Sequence, residues 1–167
     1  MSVDGYIADK NGGVAFLQGH EDCLENESIY SEFIKNIDTV LMGWNTYNQI
    51  ITELSPDNWD YDNLLTYVFT HREQQDSDKI IFTSDNLEEL IEKLKGVEGK
   101  DIWICGGADL VQQAISSDVI DEYLISIIPT ILGNGIKLFS QNDAEHKLKL
   151  INTITNNGIV ELNYIRR

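Results

Sequence analysis

The sequence predicts an α/β protein in which helices cover both faces of a mostly parallel sheet, giving three layers. Short apolar segments alternate with helix-patterned segments from residue 39 to residue 115. Two of the apolar segments stop on glycine, at Gly43 and at Gly106, and the chain then restarts at once as a helix. Two β-patterned segments close the chain. Such alternation is typical of parallel sheets, and a closing hairpin adds one antiparallel edge.

Length and charge limit the partners that the protein can bind. A chain of 167 residues suits one domain, which we place at residues 1–167. The net charge is −16, from 28 acidic and 12 basic residues. Contacts to nucleic acid and to anionic membranes need clustered lysine and arginine, so this charge argues against both and favours a small molecule or a protein as the partner.

The two cysteines, Cys23 and Cys105, lie far apart and lack metal-ligand spacing, so no metal site is predicted. The sequence shows no hydrophobic leader and no apolar run of membrane-spanning length. These observations favour a cytoplasmic location with both thiols reduced.

The first elements are a strand end, a loop and a helix. Residues 1–8 resemble a strand running into a turn, in which Asp4 is interpreted as a structural Asx-type residue, and residues 9–13 form a loop. Asn26 or Ser28 could cap the helix that follows. Its apolar residues recur at helical spacing, at Ile29, Tyr30, Phe33, Ile34 and Ile37.

A strand, a glycine and a second helix follow without a break. The strand at residues 39–42 ends on Gly43. Asn45 or Thr46 could cap the helix, which reaches about Leu54. Glycine at such a turn lets the backbone come close to a ligand.

Two short strands and an amphipathic helix come next. Residues 67–70 and 80–83 have strand patterns. Asp85 or Asn86 caps a helix that Gly96 ends. The apolar face of this helix contains Leu87, Leu90, Ile91 and Leu94.

Residues 101–115 combine a buried strand, two glycines and a helix. Residues 102–105 are all apolar, and helical spacing begins after Gly107. The free N–H groups in the first turn of the helix would favour a dinucleotide pyrophosphate. A tight turn without a ligand explains the same pattern. The G-x-G-x-x-G fingerprint is absent, so the turn alone does not decide between the two interpretations.

The last third of the chain is β-patterned. Residues 120–128 form a strand that Pro129 stops. Residues 148–155 and 159–165 form a hairpin, because the Asn-Asn-Gly between them tolerates the positive φ of the turn. The hairpin and the strand before it are candidate surfaces of a homodimer, and an exposed edge is the alternative.

Several motifs, in the same order over nearly the whole chain, resemble the dihydrofolate reductase superfamily. They are MSVDGYIA at residues 1–8, VLMG at 40–43 with NTY at 45–47, IWICGG at 102–107, and DEYL at 121–124 followed by Pro129 and Gly133. The most similar branch resembles the C-terminal reductase domain of the riboflavin-pathway deaminase-reductase. The resemblance implies a dihydrofolate reductase-like fold and an NADPH-dependent reductase, with NADH left open.

The resemblance also assigns residues to the cofactor. Ile7 and Ala8 would meet the nicotinamide carboxamide, Gly13 would belong to the loop that closes over it, and the packed thiol of Cys105 would lie beside the ring. The pyrophosphate would be held from two sides, by Gly43, Trp44, Asn45 and Thr46 and by Gly106, Gly107, Ala108, Asp109 and Leu110. The adenosine ribose and its 2′-phosphate would meet Thr70, His71, Arg72 and Ser84.

Two departures from the family concern charged groups. Trp44 stands where the family usually has arginine; an indole can stack on adenine but cannot neutralise a phosphate, so NADP preference rests on Arg72. Folate reductases also carry an acidic residue, on the helix before the strand at residue 40, that helps to protonate the substrate. Glu27 is the first candidate here and Glu32 the second, and a solvated carboxylate is the alternative for each.

A third departure concerns the start of the chain, because family members have an apolar strand before the first motif. Either an earlier start supplies it or residues 1–8 cover the gap. The zinc deaminase signature is absent. We therefore expect a reductase of a pterin-like or aminopyrimidine substrate. The alternative is a non-catalytic nucleotide-binding or self-associating protein with the same fold.

Overall fold

The computed structural model describes residues 1–19, 27–139 and 145–167. The chain divides into a central unit, residues 31–117, and a terminal unit, residues 1–30 with residues 118–167. The elements in chain order are β1 (Tyr6–Ala8), α1 (Glu27–Lys35), β2 (Ile37–Gly43), α2 (Trp44–Gln49), β3 (Leu65–Phe69), β4 (Ile80–Thr83), α3 (Leu87–Lys95), β5 (Asp101–Gly106), α4 (Ala108–Ser116), β6 (Glu122–Ile127), β7 (Ile136–Lys137), β8 (Leu148–Asn156) and β9 (Ile159–Arg166).

The central unit contains the predicted parallel sheet, with four strands in the order β4–β3–β2–β5. Gly43 of β2 pairs with Phe69 of β3, which pairs with Thr83 of β4. On the other side of β2, Met42 pairs with Gly106 of β5. The carboxyl ends of all four strands therefore lie along one edge of this sheet, which we call the carboxyl edge.

Strand β2 is buried on both faces. Val40, Leu41 and Met42 are each 0% exposed, and successive strand residues point to opposite faces. Val40 and Met42 belong to a hydrophobic cluster with Ile37, Ile50, Leu64 and Val68. Burial of three consecutive residues means that both faces of the sheet are covered, as the apolar runs predict.

The helix α3 begins at a predicted cap. The Asn86 side chain accepts a hydrogen bond of 3.1 Å from the backbone N–H of Glu89, which satisfies one free donor of the first turn. Gly96 ends the helix as predicted, in a right-handed conformation with φ of −76°.

The predicted cap of the second helix is wrong. Helix α2 begins at Trp44, so Asn45 and Thr46 lie inside it, and the N-cap is Gly43 without a side-chain cap bond. The extended backbone of Gly43 continues directly from β2. A π-helical segment, Ile50–Leu54, continues α2 to the predicted end.

The terminal unit contains an antiparallel sheet in the order β6–β9–β8 and a two-stranded pairing of β1 with β7. The predicted hairpin is confirmed: β8 pairs with β9, and Asn157 and Gly158 have positive φ of 48° and 76°. The hairpin pairs with β6 through β9, so these three antiparallel strands form a separate sheet within the terminal unit.

Asp4 has the structural role that its turn motif indicates. Its carboxylate accepts hydrogen bonds from Ser2 Oγ at 2.7 Å, from the Gly133 N–H at 2.7 Å and from the Leu132 N–H at 3.1 Å. These bonds, the one from Ser2 first, lower the pKa of Asp4. The described residues contain no helix of the length and apolarity that a membrane crossing needs.

Replacing Thr66 by valine is expected to stabilise the protein by about 1 kcal/mol, because a buried hydroxyl without a partner costs desolvation energy. Thr66 in β3 is 0% exposed, and within the described residues its Oγ1 has no hydrogen-bond partner. Urea unfolding measures the change. The matched control is Thr39→Val, which should lose stability because Thr39 Oγ1 donates to Asp38 Oδ1 at 2.8 Å. A destabilised Thr66→Val variant would contradict the expectation.

Candidate active site

The carboxyl edge of the central unit brings together most of the residues assigned to a cofactor. Gly43 ends β2 and is followed by the first turn of α2. Thr70 follows β3, Ser84 follows β4, and Gly107 with the start of α4 follows β5. Ligands of open α/β sheets bind outside the carboxyl ends of the strands. The edge is therefore the candidate site.

The turns at the ends of β2 and β5 adjoin each other. We call these turns, at Gly43 and at Gly106 with Gly107, the glycine corners. A Cβ built on Gly43 would lie 3.8 Å from the backbone nitrogen of Gly107. Cβ atoms built on Gly106 and Gly107 would lie 3.7 Å and 3.5 Å from Thr46 Oγ1. Apart from chain neighbours, no other atom of the described residues comes within 4 Å of these three positions. Within the described residues, and leaving chain neighbours aside, Thr46 is therefore the one side chain that comes within 4 Å of these positions.

The first turn of α4 offers free backbone donors. Gly107 is its N-cap, in extended conformation and without a side-chain cap bond. The peptide bond between Gly106 and Gly107 is cis, and Gly106 has φ of +142°, which favours glycine. The helix therefore presents N–H groups and the positive end of its dipole, which suit an anion. The exposed carboxylate of Asp109 in the same turn opposes that attraction.

Arg72 lies on the same edge and is supported by Trp44. The Thr70 N–H donates to the Thr83 carbonyl at 2.8 Å, and the Arg72 N–H donates to Thr70 Oγ1 at 3.1 Å. The guanidinium carbon of Arg72 lies over the Trp44 indole, 5.1 Å from the ring centroid. His71, Arg72 and Ser84 are exposed. This pairing of Arg72 with Trp44 was not predicted.

Trp44 begins a row of aromatic rings that the sequence also did not predict. Neighbouring rings have centroids 5.2–6.4 Å apart. The members are Trp44, Phe82, Tyr47, Trp59, Tyr61, Trp103 and Phe33. All of them pack against the hydrophobic cluster of the central unit. The indole of Trp44 is thus fixed from the core side.

Cys105 lies in β5, one residue before Gly106, and packs against the same cluster. Its sulfur lies 3.9 Å from the Tyr61 hydroxyl oxygen. Burial raises the pKa of the thiol to about 11. The group is therefore neutral at pH 7, as expected of a packed thiol that is not a nucleophile.

Both candidate proton donors belong to helix α1. Glu27 is the first residue of this helix, and its side chain lies outside the described part of the structure. Glu32 has an exposed carboxylate, with 74% of its side-chain surface accessible, and it pairs with Lys35 one turn later. The Glu32 pair has the geometry of an exposed i,i+3 ion pair.

Three of the residues assigned to the nicotinamide end, Ile7, Ala8 and Gly13, belong to the terminal unit. Ile7 and Ala8 lie in β1, and Ala8 is 7% exposed. The Gly13 N–H donates to Asp9 Oδ1 at 2.9 Å, which closes the loop at residues 9–13. Two backbone bonds from Asn11 and Gly13 lower the pKa of Asp9. Among the described residues, no group of three or more His, Cys, Asp or Glu side chains could hold a metal ion.

Comparison with known proteins identifies relatives of the whole chain. A family model described as the RibD C-terminal domain matches residues 1–159. The uncharacterized protein YwjB of Bacillus subtilis (strain 168) is 36% identical over 169 residues, covering 99% of this chain and 94% of YwjB.

Solved structures show the same fold. A putative riboflavin biosynthesis protein from Shewanella sp. PV-4 is 25% identical, with a TM-score of 0.87 over 100% of this chain and 95% of that one. The dihydrofolate reductase of Enterococcus faecalis, solved with NADP(H), is 16% identical, with a TM-score of 0.66 over 99% of this chain and 92% of that one. The dihydrofolate reductase-like fold is therefore confirmed. Together with the family model and YwjB, these matches show that the chain belongs to the RibD C-terminal domain family.

Proposed function

We propose that this protein is an NADPH-dependent reductase that transfers hydride to a pterin-like or aminopyrimidine substrate. The observation that carries the proposal is the adjoining pair of glycine corners at the carboxyl edge. The Gly107 nitrogen and Thr46 Oγ1 both lie within 4 Å of Cβ positions built on these glycines. The family, named for a riboflavin-pathway protein, and the likeness to a reductase solved with NADP(H) support the same chemistry.

The corners fit a pyrophosphate. Free N–H groups at the start of α4, at residues 108–110, would donate to phosphate oxygens from one side. The backbone of Gly43, Trp44 and Asn45 and the hydroxyl of Thr46 would face it from the other. The guanidinium of Arg72, with Thr70, His71 and Ser84 beside it, would meet the 2′-phosphate.

When bound, the cofactor supplies the hydride, and the protein supplies position, exclusion of water and a proton. We propose that Ile7, Ala8 and Gly13 meet the nicotinamide end. For a C=N substrate, protonation of nitrogen makes the carbon electrophilic. Glu27 is the first candidate for the proton donor, because the carboxylate of Glu32 is exposed and engaged by Lys35.

We also propose a cytoplasmic homodimer. The net charge of −16 disfavours nucleic acid and anionic membranes as partners. In the terminal unit, β6 and β8 expose large apolar side chains that a second copy could cover, namely Leu124, Leu150, Ile151 and Ile154, each 40–51% exposed. Sedimentation of the purified chain tests this assembly.

The deciding experiment measures cofactor binding and turnover separately. NADPH binding is followed by calorimetry, and oxidation is followed by loss of reduced-nicotinamide absorbance with dihydrofolate or the riboflavin-pathway aminopyrimidine. We expect Arg72→Ala to weaken NADPH about tenfold and NADH little, because a charge-assisted hydrogen bond to the 2′-phosphate is lost. Equal losses would remove Arg72 from that role.

Each failure has its own meaning. Binding of NADPH without turnover of either substrate would favour the non-catalytic nucleotide-binding alternative. The exposed Glu32 carboxylate fits this alternative, because a solvated carboxylate that pairs with Lys35 is a poor proton donor at pH 7. Absence of binding to NADPH and NADH would overturn the reductase proposal itself.

A further inference from the structure

We infer that Trp44 positions Arg72 and, through Arg72, sets the preference of the carboxyl edge for a dinucleotide that carries a 2′-phosphate. This inference rests on the proposed function. It assigns a specificity-determining role to the indole, for which the sequence alone allows stacking on adenine.

The surroundings of the indole argue against direct stacking on adenine. The guanidinium of Arg72 lies over the ring, 5.1 Å from its centroid. Tyr47 and Phe82 contact the same ring at tilts of 49° and 47°, with centroids 5.7 Å and 6.4 Å away. An adenine could take the position over the ring only by displacing Arg72.

Arg72 needs such support because its side chain is exposed and long. A free arginine side chain loses rotamer entropy when it is fixed on a ligand. Within the part of the chain that the structure describes, no carboxylate forms an ion pair with Arg72. The hydrogen bond to Thr70 engages the backbone N–H of Arg72 and leaves its side chain to the contact with Trp44. The face of the indole is thus the contact that restrains the guanidinium.

The contact leaves the chemistry of the guanidinium available. A cation held over an aromatic face still points its N–H groups outward around its edge, where a phosphate can accept two of them. Arg72 is also the one arginine of the central unit, since the others are Arg166 and Arg167. Lysine cannot reproduce the bidentate geometry, so discrimination at this edge depends on where Arg72 is held.

The size of the effect follows from the strength of an exposed cation–π contact, which corresponds to about a two- to fivefold change in affinity. Trp44→Leu should therefore weaken NADPH by about threefold and leave NADH unchanged. Trp44→Phe should restore most of the NADPH affinity, because a phenyl ring keeps an aromatic face. In the Arg72→Ala background, Trp44→Leu should have no further effect.

The test is calorimetric titration of the full chain with NADPH and with NADH, for the wild type, for Trp44→Leu, Trp44→Phe and Arg72→Ala, and for the double variant that combines Trp44→Leu with Arg72→Ala. The matched control is Trp59→Phe, at another indole of the aromatic row that has no contact with Arg72 among the described residues. It should leave the NADPH-to-NADH ratio unchanged. Urea midpoints of all variants report whether the fold is kept.

Two results would overturn the inference while leaving the proposed function standing. One is an equal loss of NADPH and NADH affinity in Trp44→Leu. The other is a Trp44→Leu effect that persists in full when Arg72 is alanine. Either would mean that the indole contacts the nucleotide directly. A wild-type chain that binds neither dinucleotide would instead overturn the proposed function and this inference with it.

Discussion

Gly43→Val is expected to weaken NADPH binding about 100-fold, which corresponds to about 2.7 kcal/mol, while the protein stays folded. The two valine methyl groups would enter the space between the corners, where a Cβ on Gly43 already lies 3.8 Å from the Gly107 nitrogen. A phosphate could then no longer reach the backbone donors, and each charge-assisted hydrogen bond lost costs about 1.5–3 kcal/mol. Calorimetric titration with NADPH measures the loss.

The fold should tolerate this change because Gly43 has an ordinary backbone conformation. Its φ of −80° and ψ of 160° lie in the extended region, which valine prefers. Gly106, with φ of +142°, would be strained by any side chain and is the poorer choice. The control is Gly96→Ala, at the end of α3, which should leave binding unchanged. A Gly43→Val variant that binds NADPH like the wild type would mean that the pyrophosphate lies elsewhere.

The sequence was sufficient for the central sheet and its glycine corners because both depend on local patterns. A short apolar run such as residues 102–105 is typical of a strand in a sheet covered on both faces, and a glycine directly after such a run marks the turn into the next helix. The order of these units then requires a parallel sheet with its corners at one edge. The predicted cap of α2 is wrong because Asn45 and Thr46 are only favourable cap residues by type, whereas the strand runs straight into the helix at Gly43.

The aromatic row and the pairing of Arg72 with Trp44 could not be predicted, because most of these contacts join residues that are distant in sequence and meet only through packing. Trp59 lies in a polar segment with no periodic pattern, yet it contacts Tyr47 and Tyr61. Helical periodicity likewise gives no information on whether a carboxylate is buried, and Glu32 is exposed beside Lys35. Side-chain environment depends on tertiary contacts that a one-dimensional pattern does not contain.

Cys105 gives the second large effect, a loss of stability at alkaline pH that a single substitution should remove. Burial raises the pKa of the thiol from 9.0 to about 11. Between these values the unfolded chain has lost the proton and the folded chain still holds it, so the folded state binds more protons and stability falls as pH rises. The contribution is complete below pH 9 and is lost as pH approaches 11, and a shift of this size corresponds to about 2–3 kcal/mol.

Cys105→Ala isolates this contribution from other groups that titrate in the same range, such as Tyr47, whose pKa burial also raises. The alanine variant should be less stable than the wild type at pH 8, because a packed sulfur is lost. That difference should shrink by about 2–3 kcal/mol between pH 8 and pH 11 when both proteins are unfolded in urea. A difference that stays constant over this range would mean that the thiol ionises equally well in the folded protein, and the buried setting of Cys105 against Tyr61 would then be wrong.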